Sequence, residues 1–283
     1  MAKIRTIYQI IESQSTMEGA GVRLRRAFGR DHPKLDPFLL LDDFGSDNPD
    51  DYMSGFPWHP HRGIETITYV LHGKVKHEDS LGNAGVIGEG DVQWMTAGSG
   101  IIHQEMPEKS KGLMSGFQLW ANLPSSNKMM NPRYQEVKKS KIPEVQIGDK
   151  INVKIICGEV NGIKGPVQNI VTEPEYLDIT LQPNTTFKHS IKEEHNSFAY
   201  IIEGEGFFDE KKKRKVGKHH LVVLEEGDEI QIATAESDLR LLLITGKPIK
   251  EPVAWSGPIV MNTQKELRLA FEEYRKGTFI KHD

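Results

Sequence analysis

One stretch of sequence occurs twice in this chain, and that repeat narrows the folds open to it more than any other feature. "YVLHGKV" (69–75) is followed by "GEGDVQWMTAGSGIIHQE" (88–105), and "YIIEGEG" (200–206) by "EEGDEIQIATAESDLRLL" (225–242). Each copy carries an aromatic-aliphatic strand into a glycine, turns back as a hairpin, and passes through Gly-Asp into another strand. Two copies of one β unit imply two similar domains. The segments "FLLLDDF", "ETITYVL", "DVQWMTA", "GFQLWANL", "VKIICGEV", "YLDITL", "SFAYIIEG", "HLVVLEEG" and "LRLLLITG" also read as strands. Val, Ile, Tyr, Phe and Thr dominate them, and turn residues bound them. Short strands at this spacing predict an all-β sandwich or barrel rather than alternating βαβ units.

The stretch 124–145, "PSSNKMMNPRYQEVKKSKIPEV", is polar, holds three prolines and lies between the copies. It reads as a linker, so the expected domains are 1–135 and 136–283. One helix is predicted, over 262–277, with Asn262 as its cap and Gly277 at its end. Leu267, Leu269, Ala270 and Tyr274 give it an apolar face to pack on a sheet. A net charge of -4 supplies no general pull towards nucleic acid or an anionic membrane. The single cysteine, Cys157 in "VKIICGEV", excludes an internal disulfide and reads as a buried thiol. "MAKIRTIYQIIESQ" lacks the apolar stretch of a signal peptide, and "FLLL" and "LLLI" are too short to cross a bilayer. A cytoplasmic protein is expected.

Chemistry concentrates in the first copy. His59 and His61 in "FPWHPHRGIETITYVL" are two residues apart, so on a strand they face one way, about 7 Å apart along the backbone. His103 and Glu105 in "GIIHQEMP" repeat that spacing, with Gln104 turned away. If the two strands lie side by side, three imidazoles and one carboxylate converge. Such a set suits one divalent first-row ion with open positions: iron(II), or manganese, nickel, copper or zinc. Glu65 shares the parity of His59 and His61, as a fifth ligand or as the group holding an imidazole N–H. His77 is a candidate to line the same cavity, or a hydrogen-bonded structural histidine. Phe56, Trp58 and Met53 are candidate pocket walls; Trp94, Phe117 and Trp120 read as core.

The second copy provides an internal control. Counting back from Gly73 and Gly204 aligns His59 and His61 with Ser190 and Lys192. Counting forward from the Gly-Asp turns aligns His103 and Glu105 with Arg240 and Leu242. No ligand survives there, so the second domain is expected to be metal-free. The basic run "EKKKRKVGKHH" (210–220) falls where the repeat needs a hairpin tip, and reads as a solvated turn rather than a polyanion site.

"DPFLLLDDF", "GFPWHPHRGIETITYVLHGKVKHEDSLGN", "GDVQWMTAGSGIIHQEMP" and "GFQLWANLP" together resemble the pirins, a branch of the cupin superfamily. The likeness covers most of 21–137. It is looser afterwards, resting on "YIIEGEG", the Gly-Asp turn, "GKPIKEPVAWSGPIVMNT" and the closing helix. It implies a bicupin of two cupin-type β-barrel domains, with one iron in the N-terminal barrel. The family's ligand positions fall on His59, His61, His103 and Glu105. Some pirins resemble quercetin 2,3-dioxygenases, and others are partners of transcription factors or metabolic enzymes. The resemblance therefore implies ring cleavage of a flavonol by dioxygen with loss of carbon monoxide; Glu105, or a carboxylate near it, is the expected base for the flavonol hydroxyl proton. The competing expectations are a metal-stabilised, redox-sensitive centre that binds a protein partner, or another small substrate.

Overall fold

The computed structural model describes residues 2–29, 32–109 and 112–282. Strands dominate it, and Gln264–Lys276 is the α-helix among the described residues. The chain divides into two compact units, each assembled from separate stretches. One holds 15–26, 38–139 and 249–283; the other holds 1–14, 27–37 and 140–248. The crossing near residue 139 lies close to the expected cut at 135. The sequence did not indicate that residues 249–283 return to the first-named unit, which is called the histidine unit below.

In the histidine unit, a seven-stranded sheet runs in the order Arg133–Val137, Val92–Thr96, Ile64–His72, Met114–Asn122, Phe38–Ser46, Val22–Phe28, Gln14–Glu18. A four-stranded sheet runs Phe56–His61, Ile101–Pro107, Val75–Asp79, Ala84–Ile87. Ile64, Ile67 and Leu119 are all fully buried; the cross-strand pair Ile67 and Leu119 shares the sheet face opposite to Ile64, Thr68 and Gln118. The expected linker is structured. Its Arg133–Val137 segment is a strand paired with Val92–Thr96, so these residues belong to the sheet.

The other unit repeats this path. Its long sheet runs Ile7–Glu12, His220–Leu224, Asn196–Phe207, Leu239–Gly246, Glu175–Leu181, Ile151–Cys157, Glu144–Ile147. Thr186–Ser190 pairs with Glu229–Ala233, as Phe56–His61 pairs with Ile101–Pro107. This pairing corrects the sequence alignment. Gly227-Asp228 leads into the counterpart of Ile101–Pro107, whereas Gly90-Asp91 leads into Val92–Thr96, whose counterpart is His220–Leu224. Ser190 faces Glu229 as His59 faces His103. The positions matching His103 and Glu105 are therefore Glu229 and Gln231, not Arg240 and Leu242. The interior of this unit is filled by Phe187, Ile201, Ile232, Leu241, Leu243 and their neighbours.

The helix is capped by Thr263, not Asn262. The Thr263 hydroxyl accepts from the Glu266 N–H, and the Glu266 carboxylate accepts from the Thr263 N–H, a reciprocal capping box. Gly277 closes the helix with left-handed φ of 72°. Leu267 and Ala270 are buried with Ala254, Ile259, Met261 and Phe279, while Leu269 and Tyr274 face solvent. The basic run forms the exposed turn between Phe207 and Lys215, whose strands pair as a hairpin.

Candidate metal centre

Two strands bring the imidazoles together. In the antiparallel pair Phe56–His61 and Ile101–Pro107, His103 lies directly opposite His59. Alternation then puts His61 on the same inner face, where both His61 and His103 are buried. The Nε2 atoms of His59 and His61 are 3.0 Å apart, as are those of His59 and His103. All three ligand atoms lie within 4.8 Å of one another. Gln104 points the other way and donates to Glu78 Oε2 at 3.0 Å.

The far sides of the rings determine what those nitrogens can do. His61 Nδ1 lies 3.0 Å from the Pro258 carbonyl, and His59 Nδ1 lies 2.8 Å from the Pro57 carbonyl. A carbonyl only accepts, so each Nδ1 carries the hydrogen and each Nε2 presents a bare lone pair. Two lone pairs 3.0 Å apart repel unless a cation lies between them. A shared proton is disfavoured, because burial holds both His61 and His103 well below the ordinary imidazole value, reinforced by neighbouring imidazoles. His103 Nδ1 is also buried with no hydrogen-bond partner. Two imidazole nitrogens standing about 2.0–2.1 Å from one ion at right angles are separated by about 3 Å, which matches this spacing. The residues fit a divalent metal.

Glu105 lies two residues past His103 on the inner face, but outside the imidazole cluster. A register shift between His103 and Glu105 sets it opposite Phe56 on one side, while on the other it pairs regularly with His77. Thr68 Oγ1 donates to its Oε1 at 2.9 Å and Gln118 Nε2 to its Oε2 at 2.7 Å. Trp120 Nε1 donates in turn to Gln118 Oε1 at 3.2 Å. Trp120 packs against the cluster of Leu39, Ile64 and Val260, and its ring also lies edge-on to His61 at 5.0 Å. Gln118 went unnoticed in the sequence, and Trp120 read as core without its link to the histidines. The available signal was a polar Gln inside the apolar strand "GFQLWANL", two residues before a Trp.

The remaining candidates lie apart. Glu65 is fully buried on the neighbouring strand, where Thr96 Oγ1 donates to its Oε1 at 2.6 Å. Its bonded partner is a threonine rather than an imidazole, and burial pushes its carboxyl upward. The parity argument failed at Gly63, where a left-handed turn of φ 78° separates the two strands. His77 is buried against Tyr134, with Nε2 2.8 Å from Glu136 Oε1. A cavity of about 40 Å³ lies beside Glu105, walled by Phe44, Tyr52, Phe56 and Met114, with Gln118 and Thr68 at its polar edge. Phe56 is one of the residues lining this cavity. Trp58 is half-exposed outside that lining, and Met53 packs among Tyr52, Val70 and Met114.

Comparison with known proteins gives a consistent result. The Pirin family profile matches residues 21–121, and that of the Pirin C-terminal cupin domain matches 176–280. A pirin-like protein of Caulobacter vibrioides is 42% identical over 283 residues, covering 98% of this chain and 99% of the relative. One of Solanum lycopersicum is 44% identical over 275 residues, covering 96% and 92%. The crystal structure of a quercetin 2,3-dioxygenase from Acinetobacter baumannii superposes with TM-score 0.90 at 31% identity, covering 98% of this chain and 99% of that one. A bacterial pirin from Escherichia coli, crystallised with nickel(II), shares the fold at TM-score 0.65 and 22% identity, covering 86% of this chain and all of the other.

Proposed function

This chain is a member of the pirin family, a bicupin, and from that premise we propose that it is a metal-dependent dioxygenase of flavonols of the quercetin type. His59, His61 and His103 hold the ion, iron(II) in the working enzyme, in the histidine unit alone. The observation that carries this reading is the convergence of bare Nε2 lone pairs beside a cavity edged by Glu105. The similarity to the Acinetobacter baumannii quercetin 2,3-dioxygenase supports the substrate class.

When bound, the ion supplies Lewis-acid and redox chemistry. The chain supplies the rest. Glu105 takes the proton of the flavonol 3-hydroxyl, leaving the substrate as an anion. Each carboxylate oxygen has a lone pair left after accepting from Thr68 or Gln118, so the base is oriented without being blocked. Trp120 fixes Gln118 through its indole N–H and borders His61, tying the base to the ligand set. Phe56 and half-exposed Trp58 flank His59 and offer aromatic surface to the flavonol rings. Dioxygen adds across the anionic ring, which opens with loss of carbon monoxide.

The cavity favours a second reading. Pockets for drug-sized ligands hold about 300–1,000 Å³. A space of about 40 Å³ takes dioxygen or water, so flavonol entry requires the walls to move. A metal-stabilised, redox-sensitive interaction module without turnover needs no such opening. Anaerobic iron(II) loading followed by dioxygen uptake against a flavonol panel separates the two. Uptake with release of carbon monoxide supports the enzyme; iron-loaded protein inert on every flavonol supports the interaction module.

A further inference from the structure

Residues 249–283 belong to the histidine unit although 109 residues of the other unit precede them (140–248). They touch the ligand strands from behind at several points. The Pro258 carbonyl accepts from His61 Nδ1 at 3.0 Å and sets that ring's tautomer. The next residue, Ile259, bridges to Arg62, and the Val260 N–H donates to the Arg62 carbonyl at 3.1 Å. The Val260 carbonyl comes so close to Gly63 that a Cβ there would lie 2.0 Å from it. Lys128 Nζ ties the Gly63 and Val260 carbonyls together at 2.9 and 3.0 Å.

Arg62 extends the contact to the end of the chain. It follows His61 and points to the opposite side, as successive residues of an extended chain do. Its guanidinium, nearly fully buried, donates to the Ser99 carbonyl at 2.6 Å, to Glu273 Oε2 at 2.6 Å and to the Phe279 carbonyl at 2.7 Å. It also lies over the Phe279 ring at 4.2 Å. The second ligand strand is backed in the same way. Ile102, beside His103 and facing outward, packs into the cluster of Ile259, Met261, Leu267, Ala270 and Phe279. One segment therefore supports both ligand strands from outside.

We propose that this C-terminal segment is a positioning strap whose docking and metal binding form a single coupled equilibrium. Docking aims His61 Nε2 into the site; metal binding immobilises His61 and His103, and with them Arg62 and Ile102, which grip the strap. Coupling of two binding events is reciprocal, so each strengthens the other by the same factor.

The inference rests on the assignment of His59, His61 and His103 as ligands, and the test keeps the two separable. Hydrogen exchange of residues 254–280 is followed with and without nickel(II) as the probe, alongside nickel(II) affinity. Loss of a group that orients a metal-binding imidazole lowers affinity about 10–100-fold. Nickel(II) should slow strap exchange about tenfold in the intact chain. Glu273→Ala should loosen the strap and weaken nickel(II) binding about tenfold, while Leu269→Ala, on the outer side, should change neither. Binding of nickel(II) with strap exchange unchanged overturns the coupling and leaves the ligands standing. So does Glu273→Ala that loosens the strap with affinity within about twofold. An intact chain that takes up no nickel(II) overturns the ligand assignment, and the coupling with it. The exchange arm uses the unaltered protein, so misfolding of a variant does not rescue the proposal.

Discussion

Replacing Glu105 by Gln is nearly isosteric, yet the hydrogen-bond pattern predicts a substantial cost. The row Thr68→Glu105←Gln118←Trp120 is directional: Glu105 accepts from both sides, and the Gln118 amide is oriented by the indole N–H. The Glu105→Gln amide keeps the bond from Gln118 only by turning its NH2 to Thr68, whose hydroxyl must then reverse from donor to acceptor and lose the bond it made to the carboxylate. Accepting from Thr68 instead sets two NH2 groups together, and turning Gln118 over only moves that clash to Trp120 Nε1. A hydrogen bond to a charged group contributes about 1.5–3 kcal/mol, and a stranded buried donor costs about 1–3 kcal/mol. Glu105→Gln should therefore lose about 1–3 kcal/mol of unfolding free energy, the difference between charge-assisted and neutral hydrogen bonds plus the reversal at Thr68. Gln118→Glu sets a half-buried carboxylate against the buried Glu105 and should lose at least as much. The double variant restores the pattern: the new amide donates to the new carboxylate, which still accepts from Trp120. It should recover most of the loss, with a coupling energy of at least about 2 kcal/mol. Urea unfolding of the metal-free proteins measures this, so metal affinity does not enter. Metal content should persist in Glu105→Gln, with oxygenase turnover largely gone in both Glu105 variants, because the base has been removed or displaced. Additive effects, within about 0.5 kcal/mol, would show that Glu105 and Gln118 do not act together.

Three further outcomes follow. His61→Ala should severely reduce metal content by elemental analysis, whereas Gln104→Ala, facing Glu78, should not; equal content would refute the strand-face argument. Burial brings Lys128 down to about 7 in the folded chain, so below that pH both states hold the proton and the burial cost is present in full. Between about 7 and 10.5 only the unfolded state keeps it, so stability should rise with pH by up to about 1.4 kcal/mol per unit, a rise that Lys128→Met should remove in urea titrations at pH 7 and 9. Exchanging the exposed run 211–215 for a short neutral turn should leave the melting temperature within a few degrees, and a large fall would show that the segment packs.

The three imidazoles were legible because i, i+2 spacing on a strand is itself a geometric statement, and Gln104 between His103 and Glu105 is oriented accordingly. Parity stops at turns. It failed for Glu65, which lies past the left-handed Gly63, and it could not show that Glu105 is held by Thr68 and Gln118 from other strands. The Gly-Asp turn misled the repeat alignment for a related reason. It is a local signal that any hairpin can use, whereas equivalence between units is decided by which strands pair. Pro258 was out of reach altogether, since it acts through a backbone carbonyl 197 residues from its histidine, and no side-chain pattern marks that.

The central claim is that His59, His61 and His103 hold one metal ion per chain. Anomalous diffraction from iron- or nickel-loaded crystals, recorded at the absorption edge of the metal, tests it most directly. The account predicts one strong peak per chain, about 2.0–2.2 Å from the Nε2 atoms of these three residues. A peak elsewhere, or a second of equal strength among Ser190, Lys192, Glu229 and Gln231, would contradict it.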